Sequence, residues 1–512
     1  MKKTYLIIGA LAIGTYASAQ KIADPTKYAK LITAEDAKKH LSIIASDAFE
    51  GRETGKPGAD KAAHYIEAEF KRLGLQPPVN GSYFLDIPLV ENSMEITFTA
   101  NGEAAANGVD FFTRSNATDN SITASEIVFV GYGTEAELGN IDIANKIILL
   151  INEDKPEAGK ETNTSYRATA ARTAILNNLK SKNPALILAA NGEIANLMKR
   201  FGSSVRGGRL SIKTPESKNV TQQIPVMHIT TALADQLVKA SGKSYADLKG
   251  SGAQVIKADV KVDFHTVNKD VKAVDVLGYM PGTDLKDEVL VFSAHYDHIG
   301  LNPNGKDKVN NGADDDGSGT TGILEIAKAF SQAKKDGHGP RRSVLFLGNV
   351  GEEKGLLGSE YYTDHPVFPL ANTITDLNID MIGRVGEEYI GKPDSANYVY
   401  TIGSAMLSKE LHQINEDANA KYTHLDQDYK YDDPKDPNRF YYRSDHYNFA
   451  KHGVPIIFYF NGVHADYHQP GDEVSKINFP LLAKRAQLVF YTGWELANRD
   501  KRPIVDGTPS SE

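Results

Sequence analysis

The stretch EVLVFSAHYDHIG, residues 288–300, decides the fold. Val289 to Phe292 run apolar without alternation, which suits a strand buried on both faces and not one side of a half-solvated hairpin sheet. The strand ends in His295 and Asp297. Outward from it come helical GTTGILEIAKAFSQAKKD (319–336), strand RSVLFLGNV (342–350), helical GLLGSEYYTDH (355–365) and strand TDLNIDMIG (375–383). A last helix covers about Phe479 to Asn498. Continuous apolar strands between amphipathic helices predict an α/β domain whose mainly parallel, mixed sheet is flanked by helices.

In such sheets ligands bind beyond the carboxyl ends of the strands. Ionisable residues recur there: His295 and Asp297, then Glu352 and Glu353 after SVLFLGNVG, then Asp380 in LNIDMIG. His464, Asp466, Tyr467 and His468 follow VPIIFYF. NNGADDDGSG (310–319) adds Asp314, Asp315 and Asp316 just before the helix after the first strand. Singly, each has a structural explanation: a hydrogen-bonded core imidazole, a solvated helix start, a cap. Together at one sheet edge they would repel or stay desolvated unless cations hold them.

One ion in a tetrahedral or five-coordinate site cannot use so many ligands, whereas two ions bridged by a carboxylate can. Imidazole combined with carboxylate oxygen favours zinc. A calcium loop fails on spacing, since acids would be needed where Gly312 and Ile323 stand. The sequence has no GxSxG elbow and no GK[ST] phosphate loop. In the Glu352-Glu353 pair, one carboxylate can bind metal while its neighbour takes a proton from an activated water and passes it to a leaving amine. That set suits peptide-bond hydrolysis.

The 512-residue chain is 41% hydrophobic and 24% charged, enough for a large core and more than one domain. Its formal net charge is −9 with no Lys/Arg-rich run, so nucleic acid and anionic membrane are not expected partners. Cysteine is absent, which excludes disulfides, thiolate ligands, a Cys nucleophile and lipid attachment after a leader. The opening MKKTYLIIGALAIGTYASAQ has a Lys2-Lys3 start, an apolar stretch to about Ile13 and a small-residue Ala17-Ser18-Ala19 site. It predicts a cleaved export signal over residues 1–19, its apolar stretch being shorter than the roughly 20 residues of a membrane span. The expectation is a periplasmic or secreted protein, not a lipoprotein, with no membrane association after cleavage.

Segments 33–46 and 59–78 read as helices, the second stopped by Gly74 and Pro77-Pro78. Between them SDAFEGRETGKPGAD (46–60), with Glu50, Arg52 and Glu53, reads as a solvated glycine-rich loop. From about 123 the texture turns to short β-rich runs, EIVFVGYG, KIILLI and ALILAA, with helical TAARTAILNNLKSK (169–182) among them. It shifts again near 263. The division expected is a domain at 20–122 and 263–512 that carries the chemistry, interrupted by an inserted domain at 123–262.

The segments SDAFEGRETGKPGADKAAHYIEAEFKRLGLQP, SAHYDHIG, NGADDDGSGT, GEEKGLLGS, NIDMIG and YHQPGDE stand in the order of the M28 family of dinuclear zinc aminopeptidases, which the chain resembles over most of its length after the leader. The resemblance implies a zinc-exopeptidase architecture, two Zn2+ ions per chain and release of N-terminal residues from peptides with a free N-terminus. Asp315 would bridge both zincs. His295 and Asp380 would complete one site, Glu353 and His468 the other. Glu352 matches the general base, and Asp297 the acid that orients a ligand histidine. Tyr467 occupies the place of an oxyanion-stabilising tyrosine.

His298 and His464 match no ligand position. The FVGYG and KIILL region resembles the protease-associated domain often inserted in this family. Ser444 or Asp445 in RSDHYNFAKHGVP is expected to cap a helix, and Phe440, Tyr441 and Tyr442 are candidates for the pocket of the substrate's first side chain. Other exopeptidase or glutaminyl cyclase chemistry on the same fold, or a non-catalytic peptide-binding protein, are the alternatives. Preferred N-terminal residue and oligomeric state have no signal in the sequence.

Overall fold

Seven strands carry the part of the chain that holds the opening stretch: β1 (Gln254–Met280), β2 (Leu285–His295), β3 (Arg342–Asn349), β4 (Thr373–Ile379), β5 (Tyr398–Ile402), β6 (Asp426–Asp428) and β7 (Ile456–Phe460). They come from a computed structural model that describes residues 23–509 except 114–118, 157–158, 160–161, 206–207, 215–222, 304, 394 and 434. The export segment expected at 1–19 lies outside the described residues. The chain divides into two compact units, one of residues 1–87 and 273–512 and the other of 88–272.

In the first unit β2 is central, parallel to β3 on one side and to β4 on the other. β4 continues in parallel to β7, whose far neighbour β5 is antiparallel, and β6 pairs parallel with β5. The last part of β1, Val276–Met280, closes the other edge antiparallel to β3. The order β6-β5-β7-β4-β2-β3-β1 puts a topological switch at β2, where successive connections leave in opposite directions. Every residue of β3 and β4 is buried, as both-face covering requires.

The helices form where the sequence places them. Helix α1 (Ala34–Ile44) begins at Thr33, whose side chain accepts the Asp36 N–H, and α2 (Pro57–Leu73) has Pro at its start and Gly74 in the left-handed region, φ 81°, at its end. Helix α3 (Gly317–Lys335) begins at Asp316, which accepts the Gly319 N–H at 2.9 Å. Phe330 of α3 packs edge-on against Phe490 of α4 (Phe479–Asn498), with centroids 5.3 Å apart, and Phe292 of β2 stacks on Phe346 of β3 at 5.4 Å. α4 lies so close to β2 that a Cβ at Gly493 would fall 2.2 Å from Phe292. No helix among the described residues is long and apolar enough to cross a membrane.

The second unit begins at Pro88 and ends at Lys272, not at 123 and 262. Strand Phe84–Ala100 enters it, and in β1 Val260, Val262 and Phe264 are buried while Lys261 is exposed. That period-2 pattern continues through 263, so the sequence texture changes inside a strand and not at a boundary. Strands Asn120–Phe129, Ile147–Ile151, Leu186–Ala190 and Val226–Ile229 are mutually parallel in that order, with Phe111–Thr113 antiparallel at the end. Helix Ala170–Ser181, capped by Thr169, connects the second and third.

Candidate active site

The switch at β2 gathers four chain segments at the carboxyl ends of the strands. His295 is the last residue of β2, Glu352 and Glu353 follow β3, Asp380 follows β4, and Asp315 sits in the loop that enters α3. Two groups of potential ligands result, His295, Asp315 and Asp380, and His298, Asp315 and Glu353, with donor atoms in each within 4.8 Å of one another. Asp315 belongs to both. His295 Nε2 lies 3.4 Å from Asp315 Oδ1, 3.7 Å from Asp380 Oδ1 and 3.9 Å from Glu352 Oε2. His468 Nε2 lies 3.1 Å from both Asp315 Oδ2 and Glu353 Oε2.

His295 Nε2 and Asp315 Oδ2 are buried without a hydrogen-bond partner. These ion-pair distances without aligned hydrogen bonds are what a donor set arranged around a third party leaves. Imidazole and carboxylate donors, with one carboxylate shared between two groups, fit a pair of divalent ions.

The surroundings tune these groups strongly. Burial pushes the Glu352 carboxyl well above its usual range; His295 opposes this, and Glu353 and Asp380 add to it. Asp315 is held well below the usual range: burial acts upward but the imidazoles of His295 and His468 outweigh it. His468 is pushed up to about 10, because Asp315 and Glu353 beside it overcome the effect of burial.

The outer members of the triplet are supports. Asp314 Oδ1 accepts the Gly383 N–H at 2.6 Å and the Ser318 hydroxyl at 3.0 Å, while its Oδ2 faces His464 Nε2 at 3.2 Å. Asp316 Oδ1 accepts the Met381 N–H at 2.9 Å besides capping α3. Asp472, a residue the motif reading passed over, accepts the N–H groups of Asp314 and Asp315 at 3.0 Å with its Oδ2. Asp297 sits behind the cluster: Oδ1 accepts the Glu352 N–H at 3.2 Å, and the main-chain carbonyl pairs with His295 Nδ1 at 3.1 Å, Oδ1 lying 3.7 Å from the same nitrogen.

A cavity beside the cluster is lined by Asp315, Glu352 and Asp380, by apolar Met381, Phe440, Phe458, Phe460 and Val463, and by Arg443 and Tyr467. Arg443 donates to the Tyr467 hydroxyl at 3.3 Å, and its guanidinium lies 4.8 Å from the Phe440 ring centre. Tyr467 stacks on His468 at 3.9 Å.

Several expectations need correction. Of the three aromatic pocket candidates only Phe440 lines the cavity; Tyr441 is buried in the core and Tyr442 packs against Tyr447. Neither Ser444 nor Asp445 caps the helix His446–Lys451. Asp445 is itself in helical conformation, φ −56° and ψ −30°, from which its side chain makes no cap bond, and Ser444 Oγ accepts from Asn378 instead. His298 is fully buried, its Nδ1 2.9 Å from Glu353 Oε1. Arg52, read as part of a solvated loop, is 0% exposed.

A mainly parallel sheet with helices and a carboxylate–imidazole cluster at its switch point defines a class of α/β metalloenzyme folds. Residues 275–493 match the model of Peptidase family M28. Leucine aminopeptidase 2 of Trichophyton equinum is 28% identical over 294 residues, covering 53% of this chain and 52% of its own length. The chain thus spans about half the length of this curated relative. An aminopeptidase from Aneurinibacillus sp. strain AM-1 has the same fold, with a TM-score of 0.54 and 19% identity over 95% of this chain and 100% of its own. A zinc aminopeptidase from Bacillus subtilis gives a TM-score of 0.52 at 18% identity, over 92% and 96%.

Proposed function

We propose that the protein is an exported metallo-aminopeptidase that removes N-terminal residues from peptides, using two zinc ions held by His295, Asp315 and Asp380 on one side and Asp315, Glu353 and His468 on the other. The observation that carries this reading is Asp315, buried and shared by both donor groups. When bound, two such ions supply Lewis-acid polarisation of the peptide carbonyl and acidify the attacking water.

The chain's own groups do the rest. Glu352, whose proton affinity burial raises, accepts the water's proton on its carboxylate and delivers it to the departing amide nitrogen. Asp297 keeps the His295 ring oriented. Tyr467 is available to donate its hydroxyl to the developing oxyanion, with Arg443 fixing that hydroxyl from the side. The apolar wall of Met381, Phe440, Phe458, Phe460 and Val463 receives the first side chain of the substrate. The 88–272 unit is read as protease-associated-like.

A panel of fluorogenic aminoacyl substrates, unblocked and N-acetylated, tests the function. Cleavage of unblocked substrates only, lost with a chelator and restored by zinc, is expected, with about two zinc ions per chain. Equal cleavage of acetylated substrates would move the reading to another exopeptidase, and cyclisation of N-terminal glutamine to glutaminyl cyclase chemistry.

A further inference from the structure

Two side chains that the chemistry above leaves unused enter the site from the segment before α2. Arg52 is fully buried and all its hydrogen bonds go to main-chain carbonyls: Nε to Tyr296 at 2.7 Å, Nη1 to Asn311 at 2.6 Å and Ile44 at 3.1 Å, and Nη2 to Gly312 at 2.9 Å. Tyr296 stands between His295 and Asp297, and Asn311-Gly312 lead into the aspartate triplet. The backbone joins in, with His298 N–H donating to Arg52 O at 3.1 Å and Gly300 N–H to Gly51 O at 3.0 Å. Gly51 makes this approach possible: its φ is +66°, and a Cβ there would lie 2.4 Å from the Asn310 carbonyl.

Thr54, two residues further on, is 2% exposed and donates its hydroxyl to Asp297 Oδ2 at 2.6 Å. A carboxylate on a short stem turns readily about its last torsion. Asp297 presents Oδ1 to the Glu352 N–H at 3.2 Å, while its main-chain carbonyl pairs with His295 Nδ1 at 3.1 Å and Oδ1 itself stands 3.7 Å from that ring nitrogen. The bond from Thr54 occupies the other oxygen. We propose that Thr54 is a positioning residue: its hydroxyl locks the Asp297 side chain in the orientation that holds the glutamate pair after β3 through the Glu352 N–H and keeps a carboxylate oxygen beside the metal-ligand histidine that the Asp297 carbonyl orients. Arg52 is the anchor that keeps the hydroxyl in range. The activity arm of this inference rests on the proposed aminopeptidase reading; the metal-affinity arm does not.

Thr54→Val is nearly isosteric and removes only the donor; Thr54→Ser keeps it. In metal-free form both should melt within a few degrees of wild type. By zinc titration against a competing chelator, Thr54→Val should bind about 10-fold more weakly or worse, the effect expected of losing an outer hydrogen bond to a ligand's partner. On an unblocked substrate kcat should fall by a similar factor with KM within about twofold, and Thr54→Ser should restore both readouts. Thr54→Ala against Thr54→Ser gives the same comparison if the valine variant does not fold. The proposal is overturned if the hydroxyl-free variant holds zinc as tightly as wild type, or if serine does no better than valine. If wild type cleaves no unblocked substrate, the aminopeptidase reading fails while the zinc titration still decides the role of Thr54.

Discussion

Parallel strands end differently in the two units of this chain. In the 88–272 unit, Ile147–Ile151 and Leu186–Ala190 run into Asn152 and Asn191, and the Asn191 amide donates to the carbonyls of Asn152 and Thr164 at 2.8 Å each. In the other unit the strands run into His295, the Glu352-Glu353 pair and Asp380, which face one another. Among the described residues, the 88–272 unit buries no carboxylate, whereas the other buries more than half a dozen. The same supersecondary plan can finish its strands with neutral amides that bond to nearby main-chain carbonyls, or with a crowd of facing charges. Uncompensated burial of charge, and not the fold alone, marks where the chemistry lies.

The largest expected break in that comparison is Glu352→Gln. It replaces the one acid of the pair without a ligand role by a neutral amide of the kind that ends strands in the other unit. Turnover should fall by roughly 10²-fold or more, as for loss of a general base, while zinc content stays at the wild-type level. Unchanged turnover would remove Glu352 from the role. Asn191→Ala should do the reverse: it strips one hydrogen bond from the buried Asn152 carbonyl, which Arg172 still serves at 3.0 Å, and one from the Thr164 carbonyl, and costs about 0.5–1.5 kcal/mol of stability in denaturant unfolding, with kcat unaltered. A fall in kcat would give the second unit a part in the chemistry that its neutral strand ends do not suggest.

The last prediction concerns protonation. His446 is buried, its ring 4.5 Å from Phe458 and its Nε2 2.8 Å from the Tyr441 carbonyl; burial lowers it to about 3, the carbonyl partly opposing. The folded state therefore holds the neutral ring, and the unfolded chain binds the proton first as pH falls. Stability from this group is complete above about pH 6.5 and is lost below it at roughly 1.4 kcal/mol per pH unit. Thermal melts between pH 7 and 5 should fall less steeply for His446→Gln than for wild type. Parallel slopes would show that other groups set the acid response.

Much of this was legible in the sequence because it lay in side chains with a period or a repeated position. Apolar runs named the buried strands, and an ionisable residue just past each run named the sheet edge. The positions 295, 315, 353 and 380 meet there, with His468 alongside. What stayed hidden acts through the backbone. Arg52 is held by carbonyls and Asp472 by N–H groups, and neither kind of partner has a residue type to read. The glycines around Arg52 suggested a turn in water, when at Gly51 they permit close packing. The limits of the 88–272 unit were missed because β1 runs across one of them without interruption.

The sharing of Asp314, Asp315 and Asp316 among distant loops bears on how the site comes into being. The triplet bonds to residues 381–383 and 472, and the segment at 51–54 bonds to 296–300 and 311–312. None of these pairings is local, so no fragment of the chain owns a finished half-site. Such long-range contacts carry a high loop-closure cost, of the kind that makes parallel sheets slow to assemble. On the proposed reading, metal capture is accordingly a property of the completed chain, and the free energy of binding would add to the stability of the folded state alone.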